Sequence, residues 1–371
     1  MKRENEEKNQ KNSLKNKVFL KLKEYMEIEG VSRNESDVAK AIIKNTQSEN
    51  LNYSYDNFGS LIISKKEHNQ GPKIMITAHM DEIGYAVLDI LDNGQVRVVT
   101  VGGVWPNVII GTKAKIKTSL GKEIYGVFGH TSIHILEREK ITKAVSEKDL
   151  FVDFGFSNKK EAEEVGIKPG DIIYIHGETF KLFNPDLVVG KAMDNRAGVT
   201  VLDFIVNNIK DLQLPNQPYF VATVQEEVGT RGAKTSVSLV NPDIAIAIDT
   251  TSSHDTYKAI EGVQKLGLGV ALRVQDGGTM MDPKLVKFIY NLAKEKNISV
   301  YKFVAQGGGT DAAELQYAKG GAATITISIP QRYLHSPLGV CDLNDLIAVI
   351  DLLTEFLKVM DSEKYLEIQY K

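Results

Sequence analysis

The sequence contains very little cysteine, since Cys341 is the only one among 371 residues. A single cysteine excludes a disulfide within one chain and a metal cluster held by several thiolates. Such a chain suits a reducing compartment, and we expect a cytoplasmic protein. The opening residues, MKRENEEKNQKN, are charged and lead into an amphipathic helical pattern, so they do not have the form of a secretory signal peptide.

The sequence also lacks a large excess of one charge and a long apolar run. Its 45 Lys and Arg residues nearly balance 48 Asp and Glu residues, which leaves a formal net charge of -3. This balance argues against nucleic acid or a membrane surface as the partner. Hydrophobic residues make up 42% of the chain, which is enough for a sizeable packed core in one elaborated domain or in two or three domains.

Short apolar segments alternate with helical patterns over most of the chain. The segments rich in β-branched residues are KIMITAH (73–79), YFVATVQ (219–225), DIAIAID (243–249), VYKFVAQ (300–306) and ATITISI (323–329). Nearly continuous apolar character is typical of strands that are buried on both faces of a parallel or mixed sheet. Helical periodicity in 194–210, 282–297 and 342–360 predicts helices between them. The pattern predicts an α/β fold, a three-layer α/β/α sandwich.

Residues 85–182 have a different pattern, with short strands and frequent turn signals such as LDNGQ, SLGKE and KPGD. We expect a small β-barrel domain there. The segments AHMDEIG and KAMDNRAG, which contain candidate catalytic residues, flank it on either side. The barrel is therefore predicted to be an insertion. The catalytic domain is then discontinuous and comprises residues 1–84 and 183–371.

Ionisable residues follow or end several of the predicted apolar strands. They are His79, Asp81, Glu226, Glu227, Asp249 and His335. Open α/β sheets form their ligand crevice at the carboxyl ends of the strands, so we expect these side chains to meet in one site.

The chemistry of this set favours two divalent metal ions. Imidazoles and carboxylates without thiolates suit Zn²⁺, Co²⁺ or Mn²⁺. Asp194, at the predicted start of a helix, is the natural bridging carboxylate, because two ions that share one carboxylate lie roughly 3.5–4 Å apart. Each ion then needs one histidine and one further carboxylate.

Six motifs, in this order, carry a resemblance to a known family: AHMDEIG, KAMDNRAG, VQEEVGTRGA, AIDTT, GGGTDAAE and PQRYLHSP. Over residues 14–360 the chain resembles the M42 family of dinuclear metallo-aminopeptidases, of the glutamyl and tetrahedral aminopeptidase type. The resemblance implies that one ion is held by His79, Asp194 and Asp249. It implies that the other is held by Asp194, Glu227 and His335, and that Glu226 is the general base.

The resemblance also implies partners and an assembly. The substrates are expected to be short peptides with a free N-terminus. The inserted domain is expected to make subunit contacts, in dimers that build a hollow dodecamer. His130 and His134 lie in that domain. For His134 two roles are possible: it could be structural, or it could approach the active site of a neighbouring subunit.

The adjacent pair Glu226 and Glu227 is explained if both leave the end of a strand. Successive side chains of a strand point in opposite directions, so Glu227 can bind a metal while Glu226 faces the reacting water. Glu226 is then expected to take a proton from this water and return it to the leaving amine. Asp81 is predicted to orient His79 by accepting the second N–H of its imidazole.

The glycine-rich segment AQGGGTDAAE lacks the Lys-Ser/Thr pair of a phosphate-binding loop. The resemblance places Gly308, Gly309 and Thr310 beside the substrate pocket, where small residues let a peptide backbone approach closely. Asn195 stands where the family more often has an acidic residue, which removes one charge next to the bridging position.

Two alternatives come from other functional classes. A glycoside hydrolase would use two carboxylates, one as proton donor and one as nucleophile or base, but it leaves two histidines and Asp194 without a role. A non-catalytic regulatory subunit that retains the fold would be favoured by a lost ligand. All five expected ligands and Glu226 are present in the sequence.

Overall fold

The computed structural model describes residues 2–67, 69–318 and 320–370, and for residues 2–8 it describes the backbone alone. The described α-helices are α1 Lys2–Glu27, α2 Ser36–Thr46, α3 Lys159–Glu164, α4 Met193–Ile209, α5 Arg231–Val240, α6 Pro283–Glu295, α7 Ala312–Leu315, α8 Leu343–Val359 and α9 Ser362–Ile368. The described strands are β1 Leu51–Tyr55, β2 Leu61–Lys65, β3 Lys73–His79, β4 Gly84–Ile90, β5 Val96–Val101, β6 Lys113–Lys117, β7 Glu123–Phe128, β8 Phe151–Asp153, β9 Ile172–His176, β10 Phe180–Lys181, β11 Leu187–Gly190, β12 Gln217–Thr223, β13 Ile244–Ser252, β14 Val270–Gln275, β15 Val300–Val304, β16 Ala323–Gln331 and β17 Gly339–Asp342.

An eight-stranded mixed sheet forms the centre of the molecule, in the order β1-β2-β12-β3-β13-β16-β14-β15. All five apolar segments predicted from the sequence lie in this sheet. The four inner strands β12, β3, β13 and β16 run parallel to one another, so their carboxyl ends share one edge. Their burial is almost complete on both faces, as their continuous apolar character predicts.

Helices cover both faces of the sheet, which confirms the three-layer α/β/α sandwich. On one side α4 packs against β3 and β13 and is covered by α1 and α8, while α5 and α7 contact each other on the opposite side. Because α4 lies between the sheet and other helices, it is buried almost all round rather than along one stripe. None of the described helices combines the length and apolar character needed to cross a membrane.

A closed barrel of six strands, in the order β4-β5-β8-β7-β6-β9, has a hydrophobic core of its own. Tyr85 and Phe128 pack inside it with their ring centroids 4.8 Å apart. The next strand, β10, pairs with β11 in a separate three-stranded sheet with β17. The barrel thus begins at Gly84, five residues after the end of β3, and the chain leaves it after His176.

Both connections to the barrel lie near the edge where the inner strands end. Residues 80–83 lead from His79, the last residue of β3, into the barrel, and the chain returns through β11 to the start of α4. Thr223, the last residue of β12, is the register partner of His79. The sheet, the start of α4 and the barrel junction therefore converge on one region.

Candidate metal centre

The first group of potential ligands joins β3, β13 and the start of α4. His79 ends β3 and Asp249 lies in the neighbouring strand β13. Nε2 of His79 is 3.1 Å from Oδ1 of Asp194 and 3.6 Å from Oδ1 of Asp249. The three side chains form a compact group in which His79 and Asp249 are buried.

The second group shares Asp194 with the first. Nε2 of His335 lies 3.2 Å from Oδ2 of Asp194 and 3.3 Å from Oε1 of Glu227. Asp194 thus presents Oδ1 to one histidine and Oδ2 to the other. The structure brings together all five residues that the sequence proposed as ligands, in two groups with one common carboxylate.

These groups have the spacing and chemistry that divalent cations need. Two ligand atoms about 2.1 Å from a common ion at a tetrahedral angle are about 3.4 Å apart. The distances from each imidazole Nε2 to the two carboxylates of its group run from 3.1 to 3.6 Å. Oε1 of Glu227 is buried and makes no hydrogen bond of good geometry with a described residue, so it is free to act as a ligand. Nitrogen and oxygen donors without sulfur fit Zn²⁺, Co²⁺ or Mn²⁺.

The electrostatics of the cluster also favour a cation. Burial lowers the pKa of His335, but Asp194 and Glu227 outweigh it and raise this pKa to about 11. Burial raises the pKa of Asp194, yet its hydrogen bonds with His335 and His79 hold the pKa well below the usual range. Burial and the neighbouring Asp194 raise the pKa of Asp249. The field that draws protons to the imidazoles would attract a metal ion in the same way.

Glu226 faces the same cavity as the two groups without belonging to either. Its Oε2 lies 4.0 Å from Nε2 of His79. Burial raises the pKa of Glu226 well above its usual value, and the nearby Asp249 and Glu227 raise it further. This carboxylate therefore has a high proton affinity and lies beside the candidate ligands, which is the position a general base needs.

The reason that Glu226 and Glu227 diverge differs from the sequence expectation. Strand β12 ends at Thr223, so neither glutamate belongs to the strand and strand alternation was the wrong explanation. Gln225 instead adopts a left-handed backbone with φ of 56°, which turns the chain before the two glutamates. The hydrophobic pattern predicted the strand but gave no signal for this turn.

Asp81 contacts more of the site than the sequence suggested. Nδ1 of His79 lies 3.0 Å from the backbone oxygen of Asp81 and 3.4 Å from its carboxylate, so the nearer acceptor is the carbonyl. The carboxylate accepts the N–H groups of Glu226 at 3.0 Å and Glu227 at 3.1 Å. Ser32 donates its hydroxyl to the same carboxylate at 2.7 Å. Asp81 therefore fixes the backbone of both glutamates.

Two contacts to the site had no sequence signal. Gly103, next to the end of β5 in the barrel, accepts a hydrogen bond from Nδ1 of His335 at 2.6 Å and so sets the imidazole orientation. Asn195 donates to the carbonyl of Ile248 at 2.8 Å and accepts from the N–H of Gly198 at 2.9 Å. Both ends of this amide are used, and an aspartate there would turn a carboxylate oxygen toward a carbonyl oxygen.

A cavity of about 830 Å³ opens beside the cluster. Gly308 and Gly309 line it, together with residues 249–252 and 260–264. Thr310 does not line it, because it is 1% exposed and its hydroxyl pairs with that of Thr326 at 2.8 Å. The glycine segment thus contributes its two glycines to the wall, while Thr310 lies beneath it.

The family model described as M42 glutamyl aminopeptidase matches residues 59–352. The chain belongs to the M42 family. A putative aminopeptidase of Acetivibrio thermocellus is 36% identical over 339 residues, which are 91% of this chain and 98% of that protein. The glutamyl aminopeptidase of Lactococcus lactis is 33% identical over 354 residues, which are 95% of this chain and 99% of that protein.

Solved structures of similar peptidases agree with the M42 assignment. An aminopeptidase from the archaeon Desulfurococcus kamchatkensis superposes with a TM-score of 0.91 at 33% identity and covers 96% of this chain and 99% of its own. The TET1 peptidase of Pyrococcus horikoshii has a TM-score of 0.83 at 31% identity and covers 92% of this chain and 99% of its own. That peptidase can assemble into a tetrahedron or a large octahedral shell. Membership in the M42 family and these relatives make the chain an aminopeptidase, a hydrolase of peptide bonds.

Proposed function

We propose that this M42 aminopeptidase uses two divalent cations to remove N-terminal residues from short peptides, with Glu226 as the general base. The observation that carries the proposal is the bridging geometry of Asp194, whose two oxygens lie 3.1 and 3.2 Å from two different imidazoles. His79 and Asp249 would complete one site, and Glu227 and His335 the other. The carboxylate of Asp81 holds the backbone of Glu226 and Glu227 in place.

The roles follow from the positions of the side chains. Divalent ions held in such a site make a water molecule more acidic and polarise the substrate carbonyl. Glu226, whose carboxylate faces the same cavity, accepts a proton from the attacking water and gives that proton to the amine that leaves. Gly308 and Gly309 leave room for the peptide backbone along the cavity wall.

A glycoside hydrolase explains the site less well. Such an enzyme needs two carboxylates on opposite sides of a sugar ring, whereas Asp194 and Asp249 both contact His79. It also gives no role to the imidazoles of His79 and His335. A regulatory subunit without activity would not need Glu226 in the cavity beside five intact candidate ligands.

We further propose that the inserted barrel domain, residues 85–182, mediates assembly into a homo-oligomer, a dodecamer built from dimers. The TET1 peptidase, which can assemble into a tetrahedron or a large octahedral shell, shares this fold over 99% of its chain. The barrel carries exposed apolar side chains, among them Trp105, Ile133 and Ile135. Large apolar side chains that are exposed in one chain are covered when they lie in a contact between subunits.

The test is a panel of aminoacyl-p-nitroanilides, each with a free and an N-acetylated amino group. Chelator-treated enzyme is assayed before and after addition of Zn²⁺, Co²⁺ or Mn²⁺. We expect metal-dependent cleavage of the free substrates and none of the acetylated ones, and the panel reveals the preferred residue and ion. A folded protein that binds two ions per chain but cleaves none of the substrates would contradict the proposal.

A further inference from the structure

Residues 30–35, in the connection between α1 and α2, lie against the loop that follows β3. The N–H of Gly30 donates to Oε1 of Glu82 at 2.9 Å, and the N–H of Glu82 donates back to the carbonyl of Gly30 at 2.9 Å. Lys191 contacts both carboxylate oxygens of Glu82 at 2.8 Å. All three residues are buried, so the segment is docked firmly beside the end of β3.

Arg196 reinforces this docking from the other side. Its Nε donates to the carbonyl of Met80 at 2.9 Å, and its Nη1 donates to the carbonyls of Tyr25 and Ile28 at the end of α1. An added Cβ at Gly30 would lie 2.7 Å from Nη2 of this arginine, so a larger residue there would displace the guanidinium. The connection between α1 and α2 is therefore tied to the loop that carries Asp81.

Two side chains of the segment support the turn that carries Glu226 and Glu227, one of them directly and the other through Asp81. Oε1 of Glu35 accepts the N–H of Gln225 at 3.1 Å and the N–H of Arg33 at 2.9 Å. Ser32 donates to the Asp81 carboxylate, whose two oxygens accept the next two N–H groups of the turn. Both side chains are 5% exposed. Three consecutive N–H groups, of residues 225, 226 and 227, are thus held by two carboxylates.

This arrangement gives the turn its shape. Gln225 has a left-handed backbone, which costs free energy for a residue other than glycine unless surrounding contacts hold it. The carboxylates of Glu35 and Asp81 supply these contacts. The direction in which the two glutamate side chains leave the backbone depends on them.

We propose that Ser32 and Glu35 are positioning residues, which hold the 225–227 turn so that Glu226 reaches the reacting water and Glu227 reaches its ion. This inference rests on the function proposed above for the two glutamates. The segment lies before residues 59–352, the part matched by the family model, so its role does not follow from that match.

Hydrogen exchange measured by mass spectrometry tests the positioning without any substrate. In Glu35→Ala and Ser32→Ala we expect the N–H groups of residues 225–227 to exchange about tenfold faster than in the wild type, the effect of losing one net hydrogen bond. Asp282→Ala is the matched control. This carboxylate accepts two N–H groups at the start of α6, at the opposite edge of the sheet, and its loss should leave the turn unchanged.

Kinetics tests the functional consequence. Glu35→Ala and Ser32→Ala should lower kcat about 10–100-fold with little change in KM, the usual effect of removing the support of a catalytic group. Glu35→Gln and Ser32→Thr retain the acceptor and the hydroxyl, so they should recover most of the activity. The control Asp282→Ala should keep the wild-type kcat at equal folded fraction.

A double-mutant cycle separates positioning from general stability. In the Glu226→Gln background, Ser32→Ala should lower kcat by a smaller factor than in the wild type, because the part of its effect that acts through Glu226 is already lost. Additive losses, or unchanged exchange in residues 225–227, would overturn the inference. Absence of activity in the wild type would instead refute the proposed function, while the exchange measurement would still report on the turn.

Discussion

Glu226 and Glu227 are neighbours in the chain, but they have different surroundings. Glu227 lies 3.3 Å from His335, whereas Glu226 lies 4.0 Å from His79, and burial raises its pKa well above the usual value. The two side chains should therefore fail in different ways when they are replaced.

Glu226→Gln should lower kcat by about 10²–10⁴-fold, the usual contribution of a general acid–base group. The amide has nearly the same shape and cannot accept the proton. Because Glu226 is not an expected ligand, the variant should still bind two ions per chain, which inductively coupled plasma mass spectrometry can count. Loss of an ion would show that Glu226 is a ligand and not the base.

His335→Ala and Glu227→Ala should each release one ion and retain the other. Both residues belong to the second group, and the first group keeps His79, Asp194 and Asp249. The measurement is the metal content after dialysis, with His176→Ala as control, since His176 lies in the barrel and packs against Tyr125. Two tightly bound ions in either site variant would show that the ligand set is wrong.

At the scale of elements, the sequence predicted the strands and the polar residues that follow them, because apolar periodicity and side-chain chemistry are local properties. It did not predict the left-handed turn at Gln225, the Gly103 contact to His335 or the docking of the 30–35 segment. Each of these depends on residues far apart in the chain, and no residue type near them carries a signal. The order of the sheet likewise results from packing between distant elements.

The first turn of α8 contains a buried carboxylate with an unusual titration. Asp345 accepts the N–H groups of Gly267 and Gly269 at 2.8 and 2.7 Å, yet burial raises its pKa to about 7. In the unfolded chain the pKa of an aspartate is about 3.9. Between these two values the folded protein binds a proton that the unfolded chain has released, so the free energy of unfolding falls as the pH rises.

Asp345→Asn should remove this part of the pH dependence. Between pH 5 and pH 8 the free energy of unfolding of the wild type should fall by about 2–3 kcal/mol more than that of the variant. Urea denaturation of both proteins at the two pH values, without metal, measures the difference. Parallel pH profiles would mean that Asp345 is already ionised at pH 5 in the folded protein.

At the scale of the whole molecule, the barrel contributes to the site and also carries exposed apolar surface. Between β7 and β8, residues 129–150 contain no strand or α-helix, and Ile133 and Ile135 in this segment are 59% and 80% exposed. Trp105, before the start of β6, is 60% exposed. When another protein surface covers such side chains and removes them from water, the free energy of the system falls.

The 41.1 kDa chain should therefore form an assembly, and a dodecamer would have a mass of about 490 kDa. Ile135→Asp should shift the mass toward smaller species, because a buried, unpaired carboxylate at a contact costs several kcal/mol. Native mass spectrometry and light scattering measure the shift, and Ile135→Leu, which stays apolar, is the control. If the aspartate variant keeps the wild-type mass, the contact lies elsewhere. The variant could instead dissociate and still cleave aminoacyl-p-nitroanilides at the wild-type rate. The metal centre would then be complete within one chain, and assembly would serve another purpose, such as restricting access to short peptides.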